Sequence, residues 1–184
     1  MKQFPYRATY LLAGVLSLLA LAACNTAPKS AEGKQDIEND AADAVAKAQR
    51  SDSSVASIMQ RSAGYAVFPS IGKGAVGVGG AYGKGVLYER GVVVGYCDIS
   101  QATIGAQLGG QAYTEIICFE TQRNVETFKQ GNFRFDAQAT AVAIKSGAGA
   151  NAKFTDGVAV FTMDEKGLMF EAAVGGQKFS YQAK

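Results

Sequence analysis

"GKGAVGVGGAYGKGV", residues 72–86, carries seven glycines and only two charges, Lys73 and Lys84. Gly72 to Gly77 satisfies the pattern G-x-G-x-x-G, but a dinucleotide site needs that loop to open a helix whose N–H groups meet phosphate. Here more glycine-rich sequence follows, and Gly74 and Gly85 stand after the two lysines, where a phosphate loop needs a magnesium-binding hydroxyl. Strand alternation accounts for the stretch better. Every second residue gives one side as Ala75, Gly77, Gly79, Ala81, Gly83 and Gly85, and the other as Gly74, Val76, Val78, Gly80, Tyr82 and Lys84. The first side is bare, so Gly77, Gly79, Gly83 and Gly85 read as a close-approach face, suited to sheet curvature, to a second packed layer or to a ligand. A transmembrane barrel would need an outward apolar band with aromatic girdles, and the chain has no tryptophan and glycine where lipid-facing leucines belong.

Outward from this stretch, short apolar runs punctuated by glycine continue from Gly64 to the C-terminus. They predict strands near 64–68, 74–82, 84–89, 92–99, 102–110, 112–119, 135–144, 157–163, 167–174 and 177–182, with a hairpin turn at Asp164–Gly167. A helix over Thr121–Lys129 interrupts them, with Val125 and Phe128 facing the sheet and Arg123, Glu126 and Lys129 facing water. Upstream, Ile37, Ala41, Ala44, Val45 and Ala48 recur at helical spacing, and Val55, Ile58 and Met59 form a second cluster. Two helices are predicted over residues 36–62, broken at Ser51–Ser54, with Ser51 or Asp52 capping the second. The fold class is mainly β, a curved antiparallel or barrel-like sheet with two N-terminal helices and one short inserted helix.

The first residues bound the location. Lys2 and Arg7 precede an uncharged apolar run, Tyr10 to Ala23, too short to span a bilayer and ordered like an export signal. It ends Leu21-Ala22-Ala23-Cys24, which resembles a bacterial lipobox, so residues 1–23 read as a removed signal peptide and Cys24 as the lipidated first residue. Residues 24–35 are small and polar and read as a flexible tether, leaving 36–184 as one folded domain. This places the protein on a bacterial membrane facing the periplasm, and Asn25, which is not the aspartate of inner-membrane retention, favours the outer membrane.

Composition excludes several chemistries. With no histidine, the chain has no Ser-His-Asp or Cys-His catalysis and no His-ligated zinc. Three cysteines cannot close a four-thiolate site. Isolated carboxylates such as Asp98 and Glu115 are the only raw material for an enzyme, so a non-enzymatic protein without metal or cofactor is expected. Cys97 and Cys118 are a candidate disulfide in an oxidising compartment, or two thiols buried among apolar neighbours. Of eighteen bases, loss of Lys2 and Arg7 leaves sixteen against sixteen acids. A neutral chain without a basic stripe offers nucleic acid little, and any attraction to anionic lipid must come from local clusters.

Ser62-Ala-Gly-Tyr-Ala-Val-Phe-Pro69, then Lys73-Gly74, Gly79-Gly80 and Gly83-Lys84-Gly85-Val86-Leu87, resemble the SYLF family of lipid-binding domains. Gly105 to Gln111, Glu115-Ile-Ile and Asn124 to Phe128 extend the likeness, which covers residues 56–184. The resemblance implies lipid binding, since eukaryotic members associate with phosphoinositides and some with actin, while bacterial members are often exported lipoproteins. The basic amphipathic helix that assists eukaryotic members is missing, because residues 36–62 hold Asp36, Glu38, Asp40, Asp43 and Asp52 against Lys47, Arg50 and Arg61. Positive charge lies downstream, where Arg123, Lys129, Arg134, Lys145 and Lys153 outnumber Glu126 and Asp136. Lys73, Lys84, Arg123, Lys145 and Lys153 are therefore the candidate contacts to lipid headgroups.

The expected protein is a lipid-anchored envelope component that binds anionic phospholipid or phosphoinositide headgroups. The alternative is a structural or interaction module whose partner is another envelope protein. Cys24→Ser is expected to move the protein from the membrane fraction to the soluble one, because the several acyl chains of a bacterial lipoprotein dominate its partitioning. Unchanged sedimentation with membranes would contradict the lipoprotein reading.

Overall fold

Polar caps, not apolar periodicity, decide where the helices begin. The computed structural model describes residues 26–76, 78–104, 111–131, 141–143, 153–164 and 177–184. Helix α1 spans Ala31–Ser51, and its N-cap Ser30 accepts a 3.0 Å hydrogen bond from the Gly33 amide. It starts ahead of the predicted Asp36, so part of the stretch read as a tether is helix. The first turns escape a periodicity test because Glu32, Lys34 and Gln35 are polar and the cap does the work. Asp52 ends α1 and caps α2 (Ser53–Arg61), as the break predicted, by accepting from the Ser54 amide at 2.9 Å.

Seven strands follow among the described residues: β1 (Gly64–Val76), β2 (Val78–Glu89), β3 (Val92–Ile104), β4 (Gln111–Phe119), β5 (Ala141–Ala143), β6 (Val158–Asp164) and β7 (Gln177–Ala183). They form one curved sheet in the order β5-β6-β4-β1-β2-β3-β7, antiparallel except for the short β5–β6 pair. Among the described residues no ladder joins β7 to β5, so the sheet is open and not a barrel. The strands predicted at 102–110 and 135–144 are seen only as the end of β3 and as β5. That at 167–174 and the rest of the turn after Asp164 lie outside the described residues.

The glycine stretch is a hairpin and not the single strand predicted over 74–82. Val76 pairs with Val78, Gly74 with Gly80 and Gly72 with Tyr82. The reversal is centred on one residue, so positions of equal parity stay on one face and the alternation survives the wrong boundary. Nearer its start β1 is bulged at Phe68-Pro69, where the register shifts against both neighbours. A proline without an N–H is tolerated in a central strand only at such a point, and its carbonyl accepts the Thr114 hydroxyl at 2.8 Å.

Both faces are covered. On one, α1 and α2 pack Ala41, Ala44, Ala48, Val55 and Ile58 onto Val67, Val86, Tyr96, Ile116 and Phe161. On the other, α3 (Gln122–Lys129), capped by Thr121, buries Val125 and Phe128 against Phe119, Val160 and Phe179. Lys129, expected in water, instead pairs with Glu89 at 2.6 Å and Glu126 at 3.1 Å. Helix α1 is latched by Glu38, which accepts from the Tyr96 hydroxyl at 2.7 Å and pairs with Lys184, also at 2.7 Å.

The bare glycine face is filled by protein at both described side-chain positions. A Cβ at Gly85 would collide with the Val67 carbonyl oxygen and stand 2.8 Å from Phe68 Cδ1. One at Gly83 would stand 2.8 Å from Ile71 Cγ1 and 2.9 Å from the Ser70 carbonyl oxygen. Gly77 lies outside the described residues, and Gly79 pairs with Ala75 and Thr103.

Gly85→Ala is expected to lower stability by about 1–3 kcal/mol through overpacking. Gly72→Ala meets nothing within 4 Å and should be neutral or stabilising by up to about 1 kcal/mol; equal denaturation midpoints for the two variants would refute the close approach. A second expectation concerns pH. Partial burial opposes the Glu38 carboxylate, but its bonds to Lys184 and Tyr96 prevail and hold its pKa below 4.5. Because the folded-state pKa is depressed, that stabilisation is present above 4.5 and lost as pH falls through the lower folded value. Thermal melts across that window should decline more steeply for the parent than for Glu38→Gln, and parallel profiles would dismiss the latch.

Candidate functional site

Asp98 lies mid-strand in β3 with 5% of its surface exposed, and a buried carboxylate must be paired or hydrogen-bonded. Its partners come from both neighbouring strands. Register sets Lys84 of β2 and Ser180 of β7 opposite it. Lys84 Nζ stands 3.6 Å from Oδ1, the Tyr82 hydroxyl donates to Oδ1 at 3.3 Å, and the Ser180 hydroxyl donates to Oδ2 at 3.3 Å.

The chain's N-terminal segment closes over this group. Lys84 Nζ donates to the Thr26 carbonyl at 3.0 Å, and the Thr26 hydroxyl donates to Ser180 Oγ at 3.4 Å. The Ala27 amide donates to Gln182 Oε1 at 3.2 Å. Thr26 and Ala27 are both buried, at 7% and 3% exposure, so the segment expected to be free is docked on the sheet. Its bonds reach Lys84 of β2 and Ser180 and Gln182 of β7, on the face that carries α1. Beyond it on the same face, Tyr82 is 50% exposed and Lys178 is exposed; the ladder runs Tyr82–Ser100–Lys178.

Among the described residues the predicted headgroup contacts are not gathered into one patch. Lys84 is engaged by Asp98 and Thr26. Lys73 stands in β1 opposite Ala81 and Gln111, three pairs nearer the hairpin turn. Arg123 is exposed on α3, and Lys153 is exposed ahead of β6, at the other end of the sheet where Phe119 pairs with Val158. Cys24 and Lys145 lie outside the described residues. Nor are the two named carboxylates brought together, since Glu115 is buried in β4 on the face opposite Asp98, accepting from Gln177 Nε2 at 3.1 Å.

Cys97 and Cys118 are free, buried thiols. They sit in β3 and β4, with β2 and β1 between, so three strand spacings part them by roughly 14 Å, far beyond disulfide reach. They also enter opposite cores. The disulfide reading is thereby corrected: burial pushes the Cys97 thiol well up and that of Cys118 to about 12, so both stay protonated. Among the described residues no group of three or more metal-ligating side chains occurs, and no helix is long and apolar enough to cross a membrane.

Sequence reasoning missed Thr26, Ser180, Gln182, Tyr82 and Lys178 as members of one site. The signal within reach was a lone acid in an apolar strand, since Asp98 between Cys97 and Ile99 demands a partner. Its identity needed the register of three strands.

Comparisons with known proteins cover the C-terminal part of the chain, including Lys178, Ser180 and Gln182 but not Asp98, Lys84 or Thr26. Residues 100–184 match the family model Ysc84, described as Las17-binding protein actin regulator. Over 84 residues the chain is 30% identical to "Beta cell expansion factor A" from Aeromonas veronii, covering 46% of this chain and 32% of that protein. The aligned part thus spans about a third of that curated relative. The segment from Ser100 to Lys184, which contains the end of β3, β4 to β7 and α3, is thus the part of the chain that is similar to the Ysc84 (SYLF) family.

Proposed function

We propose that the protein is a non-enzymatic, lipid-anchored component of the bacterial envelope whose SYLF domain binds anionic phospholipid or phosphoinositide headgroups. The observation that carries the reading is the docked segment: Thr26, two residues after the lipobox cysteine, is bonded to Lys84 and Ser180 of the sheet. A domain held that close to its lipid anchor works in the headgroup layer, where even modest affinity acts at high effective concentration. The SYLF resemblance supplies the ligand class. No cofactor or metal is invoked, and the chain's own contribution is to bind and hold position.

Cys24→Ser protein, purified without lipid, is expected to float with vesicles of phosphatidylglycerol and phosphatidylethanolamine more than with phosphatidylcholine. Binding should fall as salt rises, because the Debye length shrinks to about 3 Å at 1 M. Equal flotation with both vesicle types would point to apolar contact, and absence of binding to either would favour the envelope interaction module.

A further inference from the structure

The docked N-terminus determines which surface of the domain a membrane anchor can present to lipid. Ala27 bonds Gln182 and Thr26 bonds Ser180. Going backwards along the chain, the contacts therefore step along β7 away from its C-terminal end and toward Lys178. The two residues from Thr26 back to Cys24 can extend by at most about 7 Å. Whatever is attached at Cys24 therefore lies within that reach of Thr26, on the α1-bearing side of the sheet that also carries the Tyr82–Ser100–Lys178 ladder.

The side chains there suit a bilayer surface. Tyr82 is half exposed, the most exposed aromatic among the described residues, and its hydroxyl is held by Asp98 so that the ring stays in place. Tyrosine, with an apolar ring and a polar tip, favours the headgroup layer. Lys178 adds an exposed cation whose stem can lie along the surface while its ammonium meets phosphate. The α3 end of the sheet is different: there Lys129 is tied to Glu89 and Glu126, and the exposed Arg123 and Lys153 have no exposed aromatic side chain beside them among the described residues.

We propose that the Tyr82–Lys178 surface of β2, β3 and β7 is the membrane-contacting face, apposed to the leaflet that holds the Cys24 lipid. The proposal rests on the lipoprotein reading and adds an orientation to it. The α3 end and the turn at Arg90-Gly91 then point away from the bilayer.

The chain has no tryptophan, so single-tryptophan variants report depth without background. Full-length lipidated Tyr82→Trp, Lys178→Trp and Val92→Trp would be reconstituted into phosphatidylglycerol and phosphatidylethanolamine vesicles, with or without lipid brominated near the headgroup end of its acyl chains. Val92 is 65% exposed at the far end of the β2–β3 hairpin and serves as the distal probe. Emission from Tyr82→Trp and Lys178→Trp should be largely lost in brominated vesicles while Val92→Trp keeps its own. Should one of the first two fail to fold, the other carries the test. Quenching of Val92→Trp alone, of all three equally, or of none in a protein that still sediments with vesicles would overturn the orientation and leave the anchor intact. Recovery of the parent in the soluble fraction would overturn the anchor and the orientation with it.

Discussion

The Asp98 carboxylate is a charge that the sheet must satisfy, and doing so ties together parts of the chain that are distant in sequence. Lys84 and Tyr82 come from β2, Ser180 from β7, and through Lys84 and Ser180 the group reaches Thr26. Breaking a buried ion pair typically costs about 3–5 kcal/mol; Lys84 keeps 35% of its side chain in water, so this pair is worth less. The consequence is mainly one of specification. A single-residue slip between β2 and β3 would set Lys84 against an apolar neighbour of Asp98 and leave the acid unpaired.

The same register explains the glycines. Gly85 pairs with Cys97 one step from the Lys84–Asp98 pair, and its missing side chain is what lets the bulged β1 lay the Phe68 ring across β2. Phe68 then meets Phe179, which meets Phe128, so the α3-bearing core is continuous from the bulge to the helix. A sheet with a core on each face has little room for a ligand between layers at these positions, which moves the search for a binding surface outward.

Much of this was legible in the sequence because its signals are local. Alternation sorted residues 72–86 by face even though it missed the reversal, since period two reads the same through a turn centred on one residue. Val125 and Phe128 declared the buried side of α3, and Asp52 declared a cap. Long-range facts were not legible. Residue parity says nothing of strand order, so it could not show that Cys97 and Cys118 lie on opposite faces with two strands between them, or that Lys84 pairs with Asp98. The docking of Thr26 and Ala27 is further still from a sequence signal, because it depends on main-chain groups and on the side chains of Thr26, Lys84, Ser180 and Gln182, which are scattered along the sequence.

Thr26 and Ala27 are part of the folded domain and not a loose leash. Amide hydrogen exchange at Ala27 tests it most directly, since that N–H is bonded to Gln182 and the residue is buried. Slow exchange is expected at Ala27 in the parent, with loss of that protection in Asp98→Asn and the α1 amides unchanged. Exchange of the parent's Ala27 amide at the rate of an unstructured peptide would contradict it.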